Sequence, residues 1–110
     1  MDSLKAWREG KKDKNGYAAP ITGTESHFCF FCGRFGDTVR HEPFNGVGRR
    51  ELCKEDGIFF NLCPACHKWE HEGGGLIFES GATLPQLGQM AYERNHTREE
   101  FMKRYGKNYL

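Results

Sequence analysis

Asn61-Leu62-Cys63-Pro64-Ala65-Cys66-His67-Lys68-Trp69-Glu70-His71 decides how the chain is read, because a metal-ligand spacing, a helix start and a histidine pair overlap in it. Two residues between Cys63 and Cys66 let both sulfurs of one turn face one ion. Pro64 suits a first helical turn, and no breaker follows until Gly73-Gly74-Gly75, so the run to Glu72 is predicted as a helix. On such a helix His67 and His71 share a face and can bind one cation. Position 68 is Lys, so the H-E-x-x-H motif of zinc proteases is absent.

Upstream, Phe28-Cys29-Phe30-Phe31-Cys32-Gly33 repeats the cysteine spacing, with a glycine where a tight turn around a metal needs φ > 0. Cys29, Cys32, Cys63 and Cys66 together make the four-thiolate set of a closed, structural Zn²⁺ site with two knuckles. A redox C-x-x-C fits poorly, because two pairs bracket a polar insert and neither opens a helix in a βαβ unit. Cys63-x-x-Cys66-His67 also spells a c-type haem attachment, which would leave Cys29 and Cys32 without a role and needs export. The fifth cysteine, Cys53, is expected as a free thiol in a polar loop.

The rest of the chain is arranged around these motifs. Thr38 to Phe44 and Ile58 to Leu62 read as strands, with Asn45 to Gly57 a long polar loop between them. Leu76 to Phe78 reads as a short third strand. A helix is expected over Leu84 to Arg94, with Leu84, Leu87, Met90 and Ala91 on one face and Gly88 weakening it. Thr97-Arg98-Glu99-Glu100 is a capping box that starts a last helix with the stripe Phe101, Met102, Tyr105, and Gly106 fits its C-terminal cap. The fold class is therefore α+β, with one zinc-stapled domain over residues 27–110. Residues 1–26 mix lysines, glycines and Pro20 and read as a flexible basic lead-in, with at most a short helix around Leu4, Trp7 and Arg8.

Composition sets limits. The chain has 110 residues, 14 of them Gly, and nine Phe supply much of its apolar area, so the core is thin and a metal staple is needed. Mean hydropathy is −0.75, no apolar run suits a membrane span, and the lysine-dotted start offers no secretory signal. A cytoplasmic setting follows as the expectation, where cysteines bind metal rather than pair. Net charge is +1, and basic residues lead only slightly before residue 55, so charge alone does not announce nucleic acid.

Taken together, Cys29-x-x-Cys32, His41, Asn61-Leu62-Cys63-x-x-Cys66-His67 and His71 resemble the HNH (ββα-metal, His-Me finger) nucleases. His41-Glu42-Pro43-Phe44-Asn45-Gly46, then Gly48-Arg49-Arg50, and the ending Thr97 to Leu110 are similar to a small phage-encoded subgroup. The resemblance covers residues 27–110. It implies a hairpin and a helix gripping one divalent ion, such as Mg²⁺, Mn²⁺ or Zn²⁺, and hydrolysis of DNA in a bacterial host cell. His67 and His71 would hold that ion, and Asn61 would hold the hairpin and help position His41.

The family commonly carries Asp-His or His-His on the first strand, a metal ligand and then the general base. Here the order is Arg40-His41-Glu42, and guanidinium cannot bind a cation. His41 is the expected base, because an imidazole accepts protons near neutral pH; in the alternative register His41 is a ligand and Glu42 the base. Arg49, Arg50 and Lys54 are the expected phosphate contacts. The competing reading is a zinc-stapled DNA- or protein-binding module without catalysis.

Overall fold

The computed structural model describes residues 3–110, and its centre is a two-stranded antiparallel hairpin. Strand β1, Val39–His41, pairs with β2, Phe60–Leu62, in the register Val39↔Leu62, Arg40↔Asn61, His41↔Phe60. Both strands are shorter than the apolar runs that predicted them, and beyond β1 lies Pro43, which has no N–H to donate to a ladder. Residues paired across a ladder share a face. His41 and Phe60 therefore lie on one side, and Arg40 and Asn61 on the other. The outer edge of β2 is also occupied: Asn61 N–H donates to Thr24 Oγ1 (2.9 Å) and its carbonyl accepts from Phe30 N–H (2.7 Å).

The expected loop from Asn45 to Gly57 is in fact mostly helix. Helix α2 spans Arg49–Asp56 between Gly48 and Gly57, both in the left-handed region, at φ 79° and 70°. Its sequence, RRELCKED, has too few apolar residues to show a helical stripe, so the glycine boundaries were the only signal. Gly57 is also a close approach: a Cβ there would lie 2.0 Å from the Ala19 carbonyl oxygen. Cys53 is a free thiol, as expected, but it is wholly buried in this helix rather than placed in a loop, and burial pushes it up to about 12.

Three helices follow β2. Helix α3, Pro64–Glu72, starts from Cys63, whose Sγ accepts the Cys66 N–H, and none of its residues is fully buried. Helices α4, Leu84–Glu93, and α5, Arg98–Tyr105, both open with complete capping boxes, Thr83 with Gln86 and Thr97 with Glu100. Gly106 ends α5 at φ 77°. The predicted third strand is a single bridge, Ile77↔Thr83. On α4, Met90 is half exposed and Gln89 is buried instead, accepting from Tyr109 N–H (2.7 Å) and donating to Asn108 Oδ1 (2.8 Å). Gly88 is a packing requirement: a Cβ would sit 3.0 Å from Ile58 and 3.2 Å from the Phe44 ring.

These elements close over two apolar clusters, one of Cys29, Phe60, Leu62, Cys63, Leu76 and Leu84, the other of Phe44, Cys53, Ile58, Tyr92, Phe101 and Tyr105. The segment expected as a flexible lead-in over 1–26 belongs to the folded body from residue 3 on; Met1 and Asp2 lie outside the described residues. Helix α1, Ser3–Arg8, buries Ala6, and Tyr17 and Thr24 are buried farther along. An ion pair fastens the segment to β1, with Arg40 Nη1 2.7 Å from Asp13 Oδ2. The Arg40 guanidinium also lies over the rings of Tyr17 (4.5 Å), Phe59 (5.1 Å) and Trp7 (5.4 Å). Composition hid this, because the segment packs through an arginine among aromatic faces rather than through an aliphatic stripe.

Candidate metal centres

The four cysteines expected as one set come together: the sulfurs of Cys29, Cys32, Cys63 and Cys66 all lie within 4.8 Å of one another. Each pair is shaped by its own turn, in which the first sulfur accepts the N–H of the second cysteine, at 3.5 Å in both knuckles. Tetrahedral Zn²⁺ with Zn–S near ~2.3 Å places sulfurs ~3.8 Å apart. The Cys32 and Cys63 sulfurs are 3.9 Å apart. Burial raises the Cys29 thiol, but N–H groups of Cys32, Cys63 and Phe31 outweigh it and bring it down to about 6. Burial, with bonds to the other sulfurs, pushes Cys66 the opposite way. Zinc binds cysteine as thiolate, so a bound ion would draw the set toward that form. The cluster can hold a metal ion such as zinc, and it is packed among Phe60, Leu62 and Leu76.

The second centre is the histidine set. His41 comes from the end of β1, and His67 and His71 from successive turns of α3. One nitrogen from each lies within 4.8 Å of the other two. His67 Nε2 and His71 Nε2 are 3.1 Å apart, and the His41 ring centre is 5.6 Å from that of His67 and 5.1 Å from that of His71. Burial is graded, from buried His41 to exposed His71, so the set is open to solvent on one side. Burial, then the nearby His71 and His67 rings, push His41 down to about 4, and burial and His71 also lower His67. Neutral imidazole is the form that binds a cation.

The other expected residues are placed unevenly. Glu42 follows His41, and its carboxylate accepts from the Tyr17 hydroxyl (2.5 Å) and pairs with Arg50 Nε (3.1 Å). Asn61 lies on the opposite face of the hairpin from His41, where its Nδ2 donates to the Glu25 carbonyl (3.0 Å). It holds the hairpin to Thr24 and Glu25 and does not face the histidines. Of the basic residues, Arg49 is used internally, donating to the Tyr105 carbonyl (2.8 Å), and Lys54 lies 5.0 Å over the Tyr17 ring with little exposure. Arg50 keeps 72% of its side chain in solvent. Sequence reasoning passed over Glu70, whose Oε2 is 3.7 Å from His41 Nε2. That is ion-pair range, but His41 held near 4 is uncharged at neutral pH, so the contact is that of a carboxylate with a neutral ring. The signal was its place between His67 and His71 on one helix.

No family model matches the chain, and neither a curated protein nor a solved structure shows significant similarity to it.

Proposed function

We propose that the chain is a metal-dependent endonuclease of the HNH type, with zinc at the four cysteines as a staple and a divalent ion at His41, His67 and His71. One observation carries the reading: a β-hairpin and the helix it feeds bring three imidazoles to one solvent-open point, on a chain that also gathers four cysteines into one cluster. An all-nitrogen donor set suits Zn²⁺ better than Mg²⁺ or Mn²⁺, which prefer oxygen. Such an ion would act as a Lewis acid on the phosphate and the departing 3′-oxygen of DNA.

The chain's own residues divide the remaining work. With His41 among the ligands, Glu42 takes the role of base and removes a proton from the attacking water. The new bond forms between that oxygen and phosphorus, and the bond from phosphorus to the 3′-oxygen breaks. Tyr17 and Arg50 orient the Glu42 carboxylate, and exposed Arg50 supplies a phosphate contact that gives position without sequence reading. Asn61 acts by keeping the hairpin in register, at a distance from the reacting atoms.

The second reading, a non-catalytic zinc-stabilised module that binds DNA or protein, is favoured by one feature: both Glu42 oxygens already have partners. Plasmid cleavage with added Zn²⁺, Mn²⁺ or Mg²⁺ separates the two. Under the nuclease reading Glu42→Gln abolishes cleavage and keeps the second ion, whereas His41→Ala loses both. Undiminished cleavage by Glu42→Gln makes His41 or another group the base, and no ion-dependent cleavage by the wild type leaves the binding module.

A further inference from the structure

We infer that Glu70 is a positioning residue for the three-histidine centre: it holds the His41 ring in the one tautomer and orientation that presents a lone pair to the ion. The inference rests on the reading of His41, His67 and His71 as an ion-binding set. It does not depend on whether the centre cleaves DNA.

The geometry separates positioning from ligation. The cluster of donor atoms within 4.8 Å of one another contains the three histidines and not Glu70, although Glu70 Oε2 stands 3.7 Å from His41 Nε2. Glu70 therefore faces one histidine from beside the set. A carboxylate only accepts hydrogen bonds. A neutral imidazole turned toward it keeps its proton on the facing nitrogen, Nε2, and leaves the lone pair on Nδ1. Metal-bound histidines generally donate their second ring N–H to a carboxylate, a backbone carbonyl or water, and at 3.7 Å the Glu70 carboxylate stands just beyond that bond, on the side of the ring where it would form.

The other end of Glu70 is fixed. Its Oε1 accepts the Leu76 N–H at 2.7 Å, across the turn of Gly73, Gly74 and Gly75 that follows α3. Little of the side chain, 13%, is exposed. One oxygen is thus anchored to backbone and the other aimed at His41, whose ring is itself nearly enclosed. A carboxylate serving only as a clamp for the glycine turn would need Oε1 alone.

That division gives a clean test. Gln at position 70 can still accept the Leu76 N–H through its single oxygen, but it turns an amide NH₂ toward His41. Protein already holding one zinc equivalent is titrated with a second equivalent of Zn²⁺ by calorimetry, for wild type, Glu70→Gln and Glu70→Ala. Wild type binds the second zinc; Glu70→Gln binds it roughly 10- to 100-fold more weakly, the usual cost of removing an outer partner of a ligating histidine, with the melting temperature of the one-zinc protein little changed. Glu70→Ala loses affinity and also melting temperature. Nitrogen-15 shifts of His41 should report a protonated Nε2 in wild type and loss of that preference in Glu70→Gln. Wild-type affinity and an unaltered tautomer in Glu70→Gln overturn the inference and leave the ion site standing. A wild type that takes up only one zinc overturns the inference together with the ion-binding reading it rests on.

Discussion

The cysteine cluster and the histidine cluster lie on the same stretch of chain, yet they are built in opposite ways. Each cysteine knuckle is local: three peptide units and one N–H to sulfur bond shape it, and the two knuckles meet inside an apolar cluster. The histidine set is assembled across elements, with β1 bringing His41 to a helix that already carries the other two. The first arrangement supplies four thiolates, enough to complete a tetrahedron although Cys32 is exposed, and suits a structural ion; the second supplies three donors, is open on the His71 side and suits an ion that must meet a substrate. One cluster should therefore govern whether the chain folds, and the other what it does once folded.

The largest effect should come from the cysteines. Cys32→Ser, or a strong chelator, should remove a contribution on the order of 10 kcal/mol, comparable to the whole stability of a small domain, and leave the chain unfolded by circular dichroism. A folded Cys32→Ser protein with its full zinc content breaks the comparison at its base.

A smaller effect should appear at the support of the histidine strand. Asp13 is buried and pairs with Arg40 on β1, so Asp13→Ala leaves a largely buried guanidinium without its counter-charge. A loss of about 3 kcal/mol is expected in denaturant unfolding, the low end for such pairs because Arg40 keeps a fifth of its surface in water. Burial raises the Asp13 carboxyl, but hydrogen bonds from Arg40, the Tyr17 N–H and Ser3, with the Arg40 charge, outweigh it and hold the group below its ordinary value. A carboxyl held low stabilises the fold fully above its unfolded value near ~3.9, and that stabilisation is lost as pH falls through the lower folded value. Wild type should accordingly weaken below about pH 4. Asp13→Asn should lack this part of the acid response, and an identical acid profile in the two proteins would show that the pair contributes nothing.

The smallest effect on stability, and the largest on function, should follow His71→Ala. The side chain is exposed, so unfolding free energy should move within about 0.5 kcal/mol, while the second ion and any ion-dependent cleavage disappear. Loss of the fold in His71→Ala would erase the distinction between the two clusters.

The same contrast explains which parts of the molecule were legible beforehand. The cysteine set, α3 from Pro64 to Glu72 and the capped last helix were readable because their signals lie within a few residues of one another. Helix α2 was not, since its polar sequence folds between two glycines with no stripe to show it. The packed segment from residue 3 was also hidden, because Arg40, Tyr17, Phe59 and Trp7 are far apart in the chain and meet only in space. The bond from the Arg49 guanidinium to the Tyr105 carbonyl, 56 residues away, had no local signal either.

Spacing by itself determined that Cys29 with Cys32 and Cys63 with Cys66 could each turn two sulfurs to one side. It also determined that His67 and His71 would share a helix face, because covalent geometry and helical pitch act over three or four residues. Tertiary structure alone decided that His41 joins those two histidines while Asn61 faces away, since a one-residue change of register would exchange the two faces of the hairpin. It alone decided that Glu70 faces His41, because that contact depends on how α3 packs against β1.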